Sequence, residues 1–138
     1  MEPAPDPTAY LPGTWALTRS VHDAQLGAGR FDGLATFTLD GEAIEWREHG
    51  RLRLASYDGP ARRALRILRT ADGWEVRFAD GRPFHPLELG REAAVEHPCG
   101  ADRYTGVYSV EGPDAFTVRW RVRGPAKEQQ VVSRYVRA

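Results

Sequence analysis

His85 is the first residue whose type and setting could do acid–base chemistry. It stands in Phe84-His85-Pro86-Leu87, where Pro86 suits an edge strand or the start of a strand. If Phe84 faces one side of that strand, His85 faces the other with Leu87 and Leu89. An imidazole on an apolar inward face could serve as a general acid or base near neutral pH. The alternative is a core or rim histidine with its hydrogen bonds satisfied. A second group follows in His97-x-Cys99-x-x-Asp102. Zinc takes about four ligands, usually in two pairs. One cysteine and one nearby histidine do not supply them, so no metal is expected. A Cys–His nucleophile needs its thiolate held by the imidazole. Pro98 and Gly100 turn the chain here, and the stretch reads as a loop in which Asp102 caps amides and His97 bonds locally.

Charged and phenolic groups form the next candidates. Arg19 shares a strand face with Trp15, Leu17 and Val21, and Glu48 shares one with Ile44 and Trp46. A buried guanidinium needs a partner, and Glu48 is the expected one. The pair is either an internal ion pair or the polar floor of a site for a ligand carboxylate, phosphate or carbonyl. Tyr104, Gly106, Tyr108 and Val110 share one face, so two phenols could line a cavity in which the glycine leaves room. Lys127, the only lysine, lies in a turn, where it is solvated unless it points inward as a Schiff-base amine.

Composition limits what these residues can serve. Nineteen basic and nineteen acidic side chains give a net charge of zero, which argues against nucleic-acid or anionic-membrane partners. Arg62, Arg63, Arg66 and Arg69 make a basic run, and Arg119, Arg121 and Arg123 line a strand face opposite Trp120, without the aromatic platform a single-strand reader places on the same face. The single cysteine forms no internal disulfide and points to a reducing compartment. With no basic, apolar leader and no apolar run of spanning length, a cytoplasmic protein is expected.

The dominant period along the chain is two. It runs through Trp15–Val21, Leu34–Leu39, Ile44–Glu48, Trp74–Phe78 and Phe116–Arg123, as half-buried strands do. Asp40-Gly41, Asp58-Gly59, Asp72-Gly73, Asp80-Gly81 and Gly112-Pro113 punctuate the runs as turns. The best helical candidate, Gly90–Val95, is too short to stand alone. Residues 1–9, with three prolines, read as a flexible arm, and residues 10–138 as one domain. Consecutive strands joined by turns have exposed edges unless the sheet closes. The expected fold is therefore all-β, a single antiparallel up-and-down barrel of about 8–10 strands, with a two-sheet sandwich as the alternative.

Leu11-Pro12-Gly13-Thr14-Trp15 contains a G-x-W that resembles the opening of lipocalin-type barrels. That resemblance implies a Trp plugging one end beneath an Arg of the last strand, here Arg134 or Arg137. Trp46-x-Glu48-x-Gly50, Val76–His85, His97-x-Cys99-x-x-Asp102-x-Tyr104 and Trp120-x-Val122-x-Gly124-Pro125-x-Lys127 together resemble a bacterial and fungal family of unknown function. Its Phe-His, His-x-Cys-x-x-Asp-x-Tyr and Gly-Pro-x-Lys motifs stand at these places, and it implies a lipocalin-like barrel without an assigned reaction. The chain departs from it at Glu128-Gln129, where that family often has Asp-Tyr. Nitrobindin-type barrels, also similar, take haem through a histidine near the C-terminus. No histidine follows His97 here, and no cofactor is expected.

The function expected is a small-molecule-binding barrel for a partly apolar ligand, neutral or anionic, with Arg19, Trp46, Glu48, His85, Tyr104 and Tyr108 as contacts. One alternative is a barrel enzyme (isomerase, cyclase or hydrolase) with His85 as its acid or base. Another is a filled barrel serving as an interaction module. A homodimer is left open.

Overall fold

The computed structural model describes residues 5–90 and 93–138, with the backbone alone for 93–99. A short helix α1 (Pro7–Tyr10) leads into β1 (Gly13–Asp23), β2 (Gly27–Asp40), β3 (Ala43–Leu54), β4 (Tyr57–Thr70) and β5 (Gly73–Phe78). There follow β6 (Pro83–Leu87), β7 (Ala93–Cys99), β8 (Asp102–Val110), β9 (Ala115–Gly124) and β10 (Lys127–Arg137). They form one antiparallel sheet in the order β6-β5-β4-β3-β2-β1-β10-β9-β8-β7. This is the expected up-and-down barrel, with the first and last long strands paired, Trp15 opposite Arg137 and Asp23 opposite Gln129. The two sheet ends, β6 and β7, lie side by side, and among the described residues no hydrogen-bonded ladder joins them. No helix among the described residues is long and apolar enough to cross a membrane.

The predicted turns fall where expected, with one exception. Gly41 has φ 63° between β2 and β3, the left-handed conformation a tight hairpin requires. Asp58-Gly59 is instead inside β4, because the hairpin turns at Ala55-Ser56. Asp58 lies on the strand and accepts from Arg51 Nε at 2.7 Å. The stretch Gly90–Val95, judged too short for a helix of its own, falls partly outside the described residues, and Ala93–Val95 belong to β7.

Two devices bend the sheet. On the inner face of β2 and β3, Gly33 lies opposite Gly50, and a Cβ on Gly33 would stand 2.1 Å from the His49 carbonyl oxygen. Only glycines let these strands approach so closely and coil. The second device is in β6, where Val76 pairs with His85 but Arg77 pairs with Pro83. The register shift leaves Phe84 as the extra residue of a β-bulge, which turns two consecutive side chains to one side. Phe84 therefore faces inward with His85, stacking on Phe78 at 4.5 Å and on Trp120 at 5.6 Å between ring centroids. The strict alternation expected for Phe84 and His85 fails here for that reason.

The inner faces fill one end of the barrel. Trp15, Ile44, Ile67 and Val76 are fully buried, and Leu17, Phe116 and Tyr135 nearly so. The space between Phe37, Trp46, Ile67, Leu89 and Phe116 does not admit a water-sized sphere. Pro7–Ala9, expected within the arm of residues 1–9, instead belong to α1, where Pro7 is buried and the Asp6 carboxylate caps the Thr8 amide at 2.8 Å. Tyr10 packs on Trp15 and Phe116. Trp15 donates its indole N–H to the Leu11 carbonyl at 2.9 Å. The Arg137 guanidinium lies 4.1 Å from the Trp15 ring centroid and donates to the carbonyls of Tyr10, Pro12 and Pro113. Arg134 instead pairs with Glu111 on the outside. Arg137→Met is expected to cost roughly 2–3 kcal/mol through the lost cation–π contact and unpaired carbonyls. A thermal melt checks it, and an unchanged midpoint would contradict Arg137 as the clasp of this end.

Candidate functional site

Above the filled end, the inner face carries a polar cluster centred on Glu48, which is 2% exposed. Alternation places Glu48 inward after Ile44 and Trp46, and the β3–β4 register sets Arg63 directly opposite it. Arg19 reaches Glu48 from β1 over the inner face of β2, where the intervening residues, Gly33 and Ala35, are small. Arg19 Nη2 donates to the two carboxylate oxygens at 3.0 and 3.2 Å, as expected, and its Nε donates to Ser133 Oγ at 2.6 Å. Arg63 Nε donates to Glu48 Oε1 at 3.1 Å, and Trp46 Nε1 to Oε2 at 3.0 Å. The Tyr135 hydroxyl donates the remaining short hydrogen bond to Oε2.

The electrostatics follow from this geometry. Burial alone would push the Glu48 carboxyl up. The Arg63 and Arg19 cations and the Tyr135 hydroxyl outweigh it and hold the group below its ordinary value of 4.5. Burial and then the Glu48 charge raise Tyr135, and burial raises Tyr108, so both phenols stay protonated. Two guanidinium cations thus face one carboxylate, leaving an excess of one positive charge. Because the folded value is depressed, Glu48 stabilises the fold fully above pH 4.5 and loses that contribution as pH falls through the folded value. Melting midpoints of wild type and Glu48→Gln are expected to converge on acidification, and a constant gap would contradict an ionised Glu48.

Arg63 marks the boundary between packed and open barrel. Of its side chain 41% is accessible, against 15% for Arg19 and 1% for Glu48. Arg63 therefore sits where the packed interior gives way to solvent. Other inward residues at and beyond this level, Leu52, Phe78, Tyr104, Trp120 and Val131, are likewise only half-buried. The described inner face thus has a packed end, a polar cluster next to it, and half-buried aromatic side chains beyond.

The remaining predicted residues occupy different levels. Trp46 is 3% exposed and belongs to the floor packing. His85 is buried beside Trp120, its Nδ1 2.8 Å from the Pro86 carbonyl and its Nε2 3.3 Å from the Tyr108 hydroxyl. A carbonyl only accepts, so Nδ1 carries a proton, and in the neutral ring Nε2 accepts from Tyr108. His85 is thus a buried hydrogen-bond partner of Tyr108. The room expected above Gly106 is taken by the Trp120 indole, whose ring atoms would lie 2.7 Å from a Cβ there. Tyr104 sits at the mouth, where Lys127 Nζ is 3.5 Å from its hydroxyl and 5.8 Å from its ring centroid. Lys127 is exposed, and nothing there desolvates it as a Schiff-base amine requires. The His97 and Cys99 side chains lie outside the described residues; their backbone is strand, joined to β8 through Gly100-Ala101 rather than lying in a loop. Among the described residues no cluster of His, Cys, Asp and Glu could hold a metal ion.

Sequence reading missed Arg63, Tyr135, Phe78 and Phe84 as parts of the site. Arg63 alternates with Leu65 and Ile67, and Tyr135 with Ser133, so both had a period-two signal. Phe84 had none, since a bulge is a cross-strand feature.

Solved structures share this architecture at low identity. The S-type phycobiliprotein lyase CPES from Guillardia theta aligns with a TM-score of 0.61 at 10% identity, over 94% of this chain and 89% of that one. A de novo designed fluorescence-activating β-barrel aligns at 0.53 and 19% identity, over 97% and 99%. The designed barrel EF1p2_mFAP2b bound to DFHBI aligns at 0.52 and 16%, over 95% and 96%. These likenesses are of fold. No curated protein matches the chain. The family model that does match runs from residue 11 to residue 137, across every strand of the barrel and the whole polar cluster, and the chain accordingly belongs to the DUF6314 family of unknown function.

Proposed function

We propose that the barrel binds a small, partly apolar molecule through an anionic group. The observation that carries this reading is Arg63, a guanidinium on the inner face yet 41% accessible, beside a buried carboxylate already saturated by other donors. Glu48 receives bonds from Arg19, Trp46 and Tyr135, so Arg63 can turn its fork to a ligand without orphaning the carboxylate. A planar fork over a low-dielectric floor suits a carboxylate, sulfonate or phosphate. Phe78, Phe84 and Trp120 supply the apolar wall such sites carry. That a designed barrel of the same architecture holds the small molecule DFHBI supports the capacity of such a lumen.

The test is native mass spectrometry of protein purified from its own host, compared with the spectrum after denaturation. The expected result is a non-covalent adduct with an acidic group, lost on denaturation. A bare protein mass under gentle conditions would contradict a carrier that retains its ligand.

A further inference from the structure

The outer face of β8, β9 and β10 carries a second feature, remote from the lumen. Arg119, Arg121 and Arg123 recur at every second position of β9, and Arg103 of β8 pairs in register with Arg123. Between them runs a groove of about 510 Å³, with Val107 and Val132 on its floor. Arg121 pairs with Glu128 on this face, at 3.4 Å. Among the described residues no carboxylate lies within ion-pair distance of Arg103, Arg119 or Arg123, and Arg119 feels Glu111 only at longer range. In contrast, the outer arginines of β2, β3 and β4 are largely neutralised, Arg30 by Asp32, Arg47 by Glu45, Arg51 by Asp58 and Arg66 by Asp40 and Glu45. The same chain thus neutralises one outer face and leaves another cationic.

We infer that this groove docks an extended acidic segment of a protein partner. Alternate side chains on a strand recur at roughly 6.5–7 Å. An extended peptide with an acidic residue at every second position presents carboxylates at that same interval, one to each arginine of β9. The valine floor accepts the apolar parts of those side chains. Trp120 borders the groove but turns its ring inward onto Phe84 and His85; among the described residues no other aromatic side chain lines the groove, and without a base-stacking platform the face suits a peptide rather than a single-stranded nucleic acid.

The test is fluorescence anisotropy with a labelled peptide of alternating glutamate and threonine. Controls are a peptide of the same composition with its glutamates in one block, and a labelled oligothymidylate of equal charge. The expected result is saturable binding that weakens with salt, about tenfold tighter for the alternating peptide than for the block peptide. Arg119→Glu/Arg123→Glu is expected to abolish it while leaving the melting midpoint and lumenal probe binding unchanged, which keeps this site's failure separate from that of the lumen. No saturable binding at low salt, equal binding of the block peptide, or tighter binding of oligothymidylate would each overturn the inference.

Discussion

Replacing Glu48 with alanine is expected to destabilise the protein by roughly 3–5 kcal/mol, the usual cost of stripping a buried ion pair of one partner. The carboxylate is 2% exposed and accepts from Arg19, Arg63, Trp46 and Tyr135. Its removal leaves the largely buried Arg19 cation beside Phe31 without a counter-charge, with only the neutral hydroxyls of Ser133 and Tyr135 still accepting from it. The indole N–H of Trp46 and the Tyr135 hydroxyl also lose their acceptor in a place water does not reach. The melting midpoint is expected to fall by more than about 10 °C. Arg19→Met combined with Glu48→Leu is expected to recover much of the loss, since removing both charges also removes their desolvation cost. A single variant within about 1 kcal/mol of wild type would contradict the cluster as the structural floor of the barrel.

Arg63→Gln is expected to separate binding from stability. Arg63 is wetted, and Glu48 keeps its three other donors, so the melting midpoint should move by no more than about 3 °C. Affinity for an anionic aromatic probe, anilinonaphthalene sulfonate, should fall about tenfold or more, the worth of a charge-assisted hydrogen bond. Affinity for the uncharged analogue N-phenylnaphthylamine should stay the same, because Phe78, Phe84 and Trp120 are unaltered. Equal losses for the two probes would instead make Arg63 a wall residue.

The residues that were legible in the sequence are those whose placement depends on a single strand. Period two alone put Trp15, Leu17 and Arg19 on one inner face and Ile44, Trp46 and Glu48 on another. Need for a counter-charge then joined Arg19 to Glu48 across β2. The G-x-W opening placed Trp15 at the closed end, and Arg137 rather than Arg134 lies over it because it shares the inner face. What was not legible depends on how strands meet. Asp58-Gly59 resembles a turn until the neighbouring Ala55-Ser56 takes that role. Phe84 turns inward only because β5 and β6 slip past one another at the bulge. Arg63 was hidden among four arginines whose faces differ: it shares the inner face with Glu48, while Arg66 bridges Asp40 and Glu45 outside. Gly106 lies on the expected face, but its neighbour across the ladder, Trp120, decides what fills the space above it.

The most direct measurement is a calorimetric titration of the wild-type protein with the matched pair of probes, anilinonaphthalene sulfonate and N-phenylnaphthylamine. A wetted cationic floor beneath an aromatic wall predicts one site that binds both, with the sulfonate at least about tenfold tighter. Equal affinities, or no binding of either probe, would contradict the lumen as an anion-selective binding cup.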